Sequence, residues 1–306
     1  MKTLFIDCNA QLAPVWQRVI RPDDPPIAVN TAPFERHDLP RLLAGCAICM
    51  NDHSYMPTDL VAQCDALKHV VFLGTGAASY MSIGELQGLG VTVHTIKGYG
   101  DTAVAEHAIA LMLAAGRDIA RMDRGVRAGT WMPREGMQFL GKRLGIVGLG
   151  GIGREVARIG RGLGMEVVAW NRTPRPTEGV TPVDLDTLLA TSDVISLNLV
   201  LNDATRGIID AARIARIKPG AILVNTARGA LVDESALIAA LREGRIGHAA
   251  LDVFHAEPLR TDHPLARMEN VTLTSHAAFR TLEASETLMR RGIDIVRRLA
   301  APSSRP

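Results

Sequence analysis

Short apolar runs and longer, helically spaced stretches alternate along the whole chain. In the first third the short runs fall at residues 3–8, 27–30, 46–50, 70–73 and 91–94. Nearly continuous aliphatic runs of this length suit strands buried on both faces, and the stretches between them suit covering helices. The pattern predicts a parallel sheet with helices packed on its faces. Arg21-Pro22-Asp23-Asp24-Pro25-Pro26 must be a loop, because its prolines remove N–H donors and fix φ. A long apolar helix is expected over 102–121, with Gly98, Gly100 and Asp101 before it as a hinge and N-cap.

A second series follows, with apolar runs at 144–148, 166–170, 194–197, 221–225, 249–253 and 271–274. Six such strands are what a complete doubly wound nucleotide-binding domain requires. The last apolar helix, 282–299, has no partner strand in this series and can return to the first sheet. The fold class is therefore α/β, with two doubly wound parallel-sheet domains: 1–98 with 279–306, and 99–278. The tail 301–306 is expected to fray.

The second series opens on Gly148-Leu149-Gly150-Gly151-Ile152-Gly153, between an apolar strand and the helical stretch Arg154-Glu155-Val156-Ala157-Arg158-Ile159. A lone GxGxxG is weak evidence, but this placement is the one a dinucleotide fingerprint demands. Gly148 permits the turn, Gly150 lets backbone approach a pyrophosphate, and Gly153 lets helix pack close to strand. The helix N-terminus offers unpaired N–H groups and partial positive charge. At the end of the next strand, where an acid would bind a ribose 2′-OH, stand Asn171-Arg172-Thr173. Nothing there repels a 2′-phosphate, and Arg172 can pair with one. NADP(H) is expected over NAD(H), with a solvated or adenine-stacked Arg172 as the alternative.

Composition narrows the classes. The 306 residues are 47% hydrophobic and 22% charged, enough apolar content to bury a core. Thirty-four basic against 32 acidic residues leave a formal charge of +2, which calls for no nucleic acid partner. No uncharged apolar stretch approaches the roughly 20 residues of a membrane span. Asp7 interrupts the first run too early for a secretory signal, so a cytoplasmic location is expected. Cys46 and Cys49 spell CxxC but fall in an apolar strand-like run, where residues three apart face opposite ways. Cys8 and Cys64 add no second pair, so neither a metal nor a redox role is expected.

Three groups lie just beyond three late strands: Arg228, Glu257 and His276. Ligands of open parallel sheets sit beyond the strands' carboxyl ends, so a cation, an acid and an imidazole can meet there. Their chemistry suits hydride transfer to a 2-keto acid. His276 would protonate the carbonyl oxygen, Glu257 would orient the ring, and Arg228 would grip the carboxylate.

The segments Asn225-Thr226-Ala227-Arg228-Gly229, Val232-Asp233-Glu234, Leu251-Asp252-Val253-Phe254-His255-Ala256-Glu257-Pro258 and Thr274-Ser275-His276-Ala277-Ala278 closely resemble the D-isomer-specific 2-hydroxyacid dehydrogenase family. Val104-Ala105-Glu106-His107 and the glycine turn match it too. The resemblance covers nearly the whole chain and is most specific from 144 to 278. It implies a Rossmann-type cofactor domain, a flavodoxin-like substrate domain, an active site in the cleft, and a homodimer formed through the cofactor domain. By the resemblance, Arg228 binds substrate, Glu257 partners the histidine and His276 is the acid/base. Asp252 and the Ala227 backbone would face the nicotinamide end, with Val200 and Thr205 near the cofactor. Thr75 and Gly76 would present N–H groups to the substrate carboxylate, although Ala78-Ser79 stands where relatives often carry Asp-Asn or Asp-His. Asn51 falls at the substrate-facing loop, where a turn cap is the alternative.

The activity implied is reduction of a small 2-keto acid of the glyoxylate or hydroxypyruvate type. Formate-oxidising relatives match poorly, since they carry glutamine where Glu257 stands. The alternative of another class is a nucleotide-sensing binding protein or co-repressor on the same fold, which keeps these residues.

Overall fold

The computed structural model describes residues 1–173 and 176–301. The chain divides into two compact units, one made of Met1–Gly100 with the chain from Arg280 onward, the other of Asp101–Phe279.

In the first unit the strands are β1 (Thr3–Phe5), β2 (Ala28–Val29), β3 (Ile48–Asn51), β4 (His69–Phe72) and β5 (Thr92–Thr95). They form a sheet in the order β2-β1-β3-β4-β5, parallel throughout. Alternate side chains serve opposite faces. Ile6, Cys49, Val70 and Phe72 join one core with Leu39, Leu43 and Leu86. Phe5, Ile48, Met50 and Val71 face the other, where Leu288, Met289, Ile293 and Val296 of the helix Leu282–Ala300 cover them. That last helix therefore belongs to the first sheet. It is also latched to the proline loop: Asp24 accepts 2.7 Å hydrogen bonds from both terminal nitrogens of Arg290 and a 2.6 Å bond from Arg297.

The CxxC geometry differs from expectation. β3 starts only at Ile48, because Cys46 N–H closes a turn onto the Leu43 carbonyl. Cys46 and Cys49 consequently share one core rather than facing opposite ways. Burial raises the Cys49 thiol well above its ordinary value and pushes Cys8 up to about 11.

The second unit carries β6 (Arg143–Val147), β7 (Glu166–Trp170), β8 (Thr181–Pro182), β9 (Val194–Leu197), β10 (Ile222–Asn225), β11 (His248–Leu251) and β12 (Val271–Leu273). Among the described residues the order is β12-β11-β10-β9-β6-β7-β8, again parallel. β8 adds a seventh strand to the six expected. It is two exposed residues at the edge, one a proline, and leaves no apolar run to read.

The long helix is also shorter than expected. It runs Asp101–Gly116, and a second helix, Ile119–Arg127, begins after Asp118 turns left-handed at φ 50°. Gly116 ends the first because its carbonyl accepts Met137 N–H, and a Cβ there would lie 2.3 Å from the Phe139 ring. Among the described residues no helix is long and apolar enough to cross a membrane.

Candidate active site

The strand order of the second sheet reverses between β6 and β9, and open parallel sheets bind ligands at such a switch point. The glycine turn leaves β6 there. Gly148 has φ 101°, and a Cβ on it would meet the Asn198 carbonyl oxygen at 2.7 Å. A Cβ on Gly153 would lie 2.1 Å from the Gly148 carbonyl oxygen, so only glycine lets the helix Gly151–Gly162 start this close. Above Gly150, by contrast, a Cβ would meet nothing within 4 Å. Open space therefore faces Gly150 at the head of a helix whose leading N–H groups lack intrahelical partners, while the next residue, Gly151, packs against the Asp101 carboxylate. Half-buried Ile152 packs this turn onto the core.

Two further observations fit a dinucleotide here. Leu197 pairs with Asn225, so Asn198 and Thr226 follow side by side at the strand ends. Asn198 Oδ1 and Thr226 Oγ1 are buried without hydrogen-bond partners, as expected of polar atoms waiting for a ligand. At the end of β7, Asn171 accepts Leu149 N–H at 3.3 Å and donates to the Thr173 carbonyl at 2.7 Å. It ties the glycine turn to the segment carrying Arg172, which is exposed and has no ion-pair partner among the described residues. Beyond β9, the Thr205 hydroxyl donates to the Val200 carbonyl and accepts Asn202 N–H, shaping a loop that exposes Val200. The residues present thus suit a nicotinamide dinucleotide. Gly150, Gly151, Ile152 and Gly153 would hold its pyrophosphate, and Asn171, Arg172 and Thr173 its adenosine ribose.

The candidate reactive groups follow β10, β11 and β12. Asn225 ends β10 nearly buried, accepting Ala227 N–H and donating to the Arg228 carbonyl at 3.0 Å each. This staple sets the backbone that carries Arg228, whose Nη1 donates to the Ala227 carbonyl at 2.6 Å. Arg228 is half-buried, with no carboxylate in salt-bridge contact among the described residues, which leaves its fork available to an anion. Past β11, Glu257 accepts Phe254 N–H at 2.9 Å and meets His276 Nδ1 at 2.7 Å. Burial raises the Glu257 carboxyl, but the His276 and Phe254 hydrogen bonds and the charges of His276 and Arg228 bring it below its ordinary value. A charged Glu257 fixes the His276 hydrogen on Nδ1 and leaves Nε2 to exchange a proton with a ligand.

His276 adopts φ 53°, unusual for a side chain of this size. Asp252 holds it there. Its carbonyl accepts His276 N–H at 2.8 Å, and its carboxylate accepts Ala277 and Ala278 N–H at 2.9 Å each. The Thr274 hydroxyl adds a 2.5 Å bond to the same carboxylate. Asp252, expected at the nicotinamide end, is wholly buried, and its carboxylate is taken up by the His276 turn.

In the first unit, Asn51 is likewise wholly buried at the end of β3. Its amide donates to the Ser54 carbonyl and accepts Ser54 N–H, the turn-capping arrangement. Thr75 is exposed and Gly76 half-exposed in the loop after β4, and neither N–H has a hydrogen-bond partner among the described residues. Both remain available to an anion.

Comparison with known proteins settles the kinship. The family described as "D-isomer specific 2-hydroxyacid dehydrogenase, NAD binding domain" matches residues 109–278. The chain belongs to that family. It is 41% identical to a glyoxylate reductase from Aeropyrum pernix, over 74% of this chain and 71% of that one. With a hydroxypyruvate reductase from Thermotoga maritima it shares 34% identity, covering 89% and 90%. A D-3-phosphoglycerate dehydrogenase from Archaeoglobus fulgidus is 38% identical over 78% of this chain, and the match spans only 46% of that relative's length. Among solved structures, an acyclic imino acid reductase in complex with NADPH and D-Arg superimposes with a TM-score of 0.87 at 29% identity, covering 98% and 97%. The family is one of NAD(P)-dependent oxidoreductases acting on CH–OH donors, built as two parallel-sheet α/β domains with a Rossmann fold.

Sequence reasoning within this dehydrogenase family singled out Arg228, Glu257 and His276 as candidates but missed the residues that position them. Asn225 and Thr274 look like ordinary strand ends, and the bracing role of Asp252 has no local signal. An acid, a threonine and a histidine-bearing helix start all flagged by one family pattern are the signal that could have grouped Asp252, Thr274 and His107.

Proposed function

We propose that the protein reduces a small 2-keto acid of the glyoxylate or hydroxypyruvate type to the D-2-hydroxy acid, with NADPH as the preferred reductant. The observation that carries this reading is the His276–Glu257 pair at 2.7 Å, with the half-buried Arg228 close enough to Glu257 to lower its carboxyl. A bound nicotinamide supplies the hydride. As negative charge grows on the carbonyl oxygen, His276 Nε2 delivers a proton to it while Nδ1–H stays on Glu257. Arg228 pairs with the substrate carboxylate and steadies the developing charge. The freed imidazole regains a proton from solvent, since its side chain is 38% exposed. In the first unit, Thr75 and Gly76 N–H groups are the proposed anion donors.

The NADPH preference rests on Asn171-Arg172-Thr173, where no carboxylate opposes a 2′-phosphate and Arg172, without an ion-pair partner among the described residues, can meet one. A panel of 2-keto acids run with NADPH and NADH tests both halves of the reading. Turnover with at least one short keto acid and a higher kcat/KM with NADPH are expected. His276→Ala should lower kcat by roughly 10²- to 10⁴-fold while NADPH still binds. A panel with no turnover, or His276→Ala at wild-type rate, overturns it.

A homodimer formed through the second unit belongs to the same proposal. Ile119, Val126, Trp131, Met132 and Leu140 are all exposed within one short segment, Trp131 at 85%. Clustered apolar exposure of this kind marks an association surface. Light scattering should give twice the chain mass, and Trp131→Glu should halve it.

A further inference from the structure

We propose that His107 is a positioning residue for the His276 turn, acting through Thr274 and Asp252. The proposal rests on the reading of His276 as the proton carrier. His107 Nε2 lies 2.9 Å from Thr274 Oγ1 and 3.5 Å from Asp252 Oδ1. Thr274 has one hydroxyl proton, and the 2.5 Å bond to Asp252 Oδ1 uses it. The Thr274 oxygen must then accept from His107, so Nε2 carries the hydrogen. The opposite tautomer would point a nitrogen lone pair at a hydroxyl oxygen and a carboxylate together.

Removing that donor acts on the whole brace. Asp252 is wholly buried, and burial raises its carboxyl; the His107 and Thr274 hydrogen bonds, with the Ala277 and Ala278 N–H groups, bring it below the ordinary value. The same carboxylate spans Ala277 N–H and Ala278 N–H, the two amides that follow His276. His276 itself sits at φ 53°, a conformation kept only where its surroundings impose it. His107, on the helix Asp101–Gly116, thus links that helix to a strained turn whose ring must stay 2.7 Å from Glu257. A side chain acting in this way should govern kcat more than the binding of cofactor or keto acid, because it sets where the proton is delivered.

Two substitutions separate positioning from bulk stability. His107→Leu removes the donor and keeps the helix. His107→Gln places an amide N–H where Nε2 stands. His107→Leu should lower kcat by roughly 10- to 100-fold, the range seen when a supporting hydrogen bond is lost. KM and NADPH affinity should change little, and His107→Gln should recover most of the rate. Amide exchange at Ala277 and Ala278, followed by NMR or mass spectrometry on the full chain, should quicken in His107→Leu and return toward wild type in His107→Gln. That measurement needs no turnover, so it judges the brace even if the keto-acid panel fails. Thr274→Val, which cuts the same link from the other side, should quicken the same two amides. An unchanged kcat with unchanged exchange in His107→Leu overturns the proposal. So does an equal loss in His107→Leu and His107→Gln accompanied by a fall in melting temperature.

Discussion

Two buried carboxylates, Asp24 in the first unit and Asp252 in the second, are held in different ways. Asp24, 1% exposed, meets charged partners: both terminal nitrogens of Arg290 and one of Arg297. Asp252, wholly buried, meets mostly short neutral donors, namely a hydroxyl and two backbone N–H groups, with His107 behind them. Arg290 holds the Asp24 carboxyl far below its ordinary value, with Arg297 and Arg21 N–H adding to it against burial. A guanidinium cancels charge across a sequence separation of 266 from Asp24 to Arg290, so Asp24 joins distant chain segments. Donors drawn from one turn cancel charge by wrapping around it, so Asp252 dictates local shape. The first arrangement secures a fold, and the second secures a geometry.

The largest effect should come from the first. Asp24→Asn leaves Arg290, 15% exposed, with the more exposed Asp294 as its remaining carboxylate partner. Loss of one partner of such a pair costs about 3–5 kcal/mol, read as a lower urea midpoint with cofactor affinity kept. Its pH dependence has a definite sign. A depressed folded-state pKa contributes stability that is complete above the unfolded value, about 3.9, and is lost as pH falls through the folded value. Wild-type stability should therefore drop below about pH 4 more steeply than that of Asp24→Asn, and the two curves should converge in strong acid. Parallel curves would show that Asp24 is not the titrating latch.

These contrasts also explain what could be read from the sequence. The sheets were legible from their central strands, which are buried on both faces and so form near-continuous apolar runs. β8 was not, since two exposed edge residues carry no such run. The glycine turn was legible because its geometric demands fall on six consecutive residues. The break at Asp118 was hidden, as its causes are Met137 and Phe139, placed by packing. Arg228, Glu257 and His276 announced themselves as chemistry at strand ends. The brace did not: Thr274 lies 22 residues from Asp252 and 167 from His107, and no local pattern links them.

The next effect concerns the carboxylate that touches the His276 ring. Glu257→Gln keeps size and removes charge, so Nδ1–H meets a weaker acceptor. Charged hydrogen bonds are worth about 1.5–3 kcal/mol, which predicts a loss of about 10- to 100-fold in kcat/KM for reduction. Stability should barely move, because the Glu257 side chain is 35% exposed. The pattern is thus the reverse of Asp24→Asn. Equal damage to melting temperature and rate would make Glu257 a structural residue.

The smallest effect tests whether wrapping by backbone donors matters only when buried. Asp233 accepts a backbone hydrogen bond as Asp252 does, from Ala236 N–H at 3.0 Å, but it is half-exposed and caps the helix Glu234–Arg242. Water can replace the lost bond there, and no strained turn depends on it. Asp233→Ala should therefore cost about 1 kcal/mol, the usual value of an N-cap, and leave kcat unchanged. Urea unfolding and a single rate measurement settle it. A kcat loss comparable to that of Glu257→Gln would mean that Asp233 shapes the site rather than its helix, and that burial is not what gives Asp252 its hold on the His276 turn.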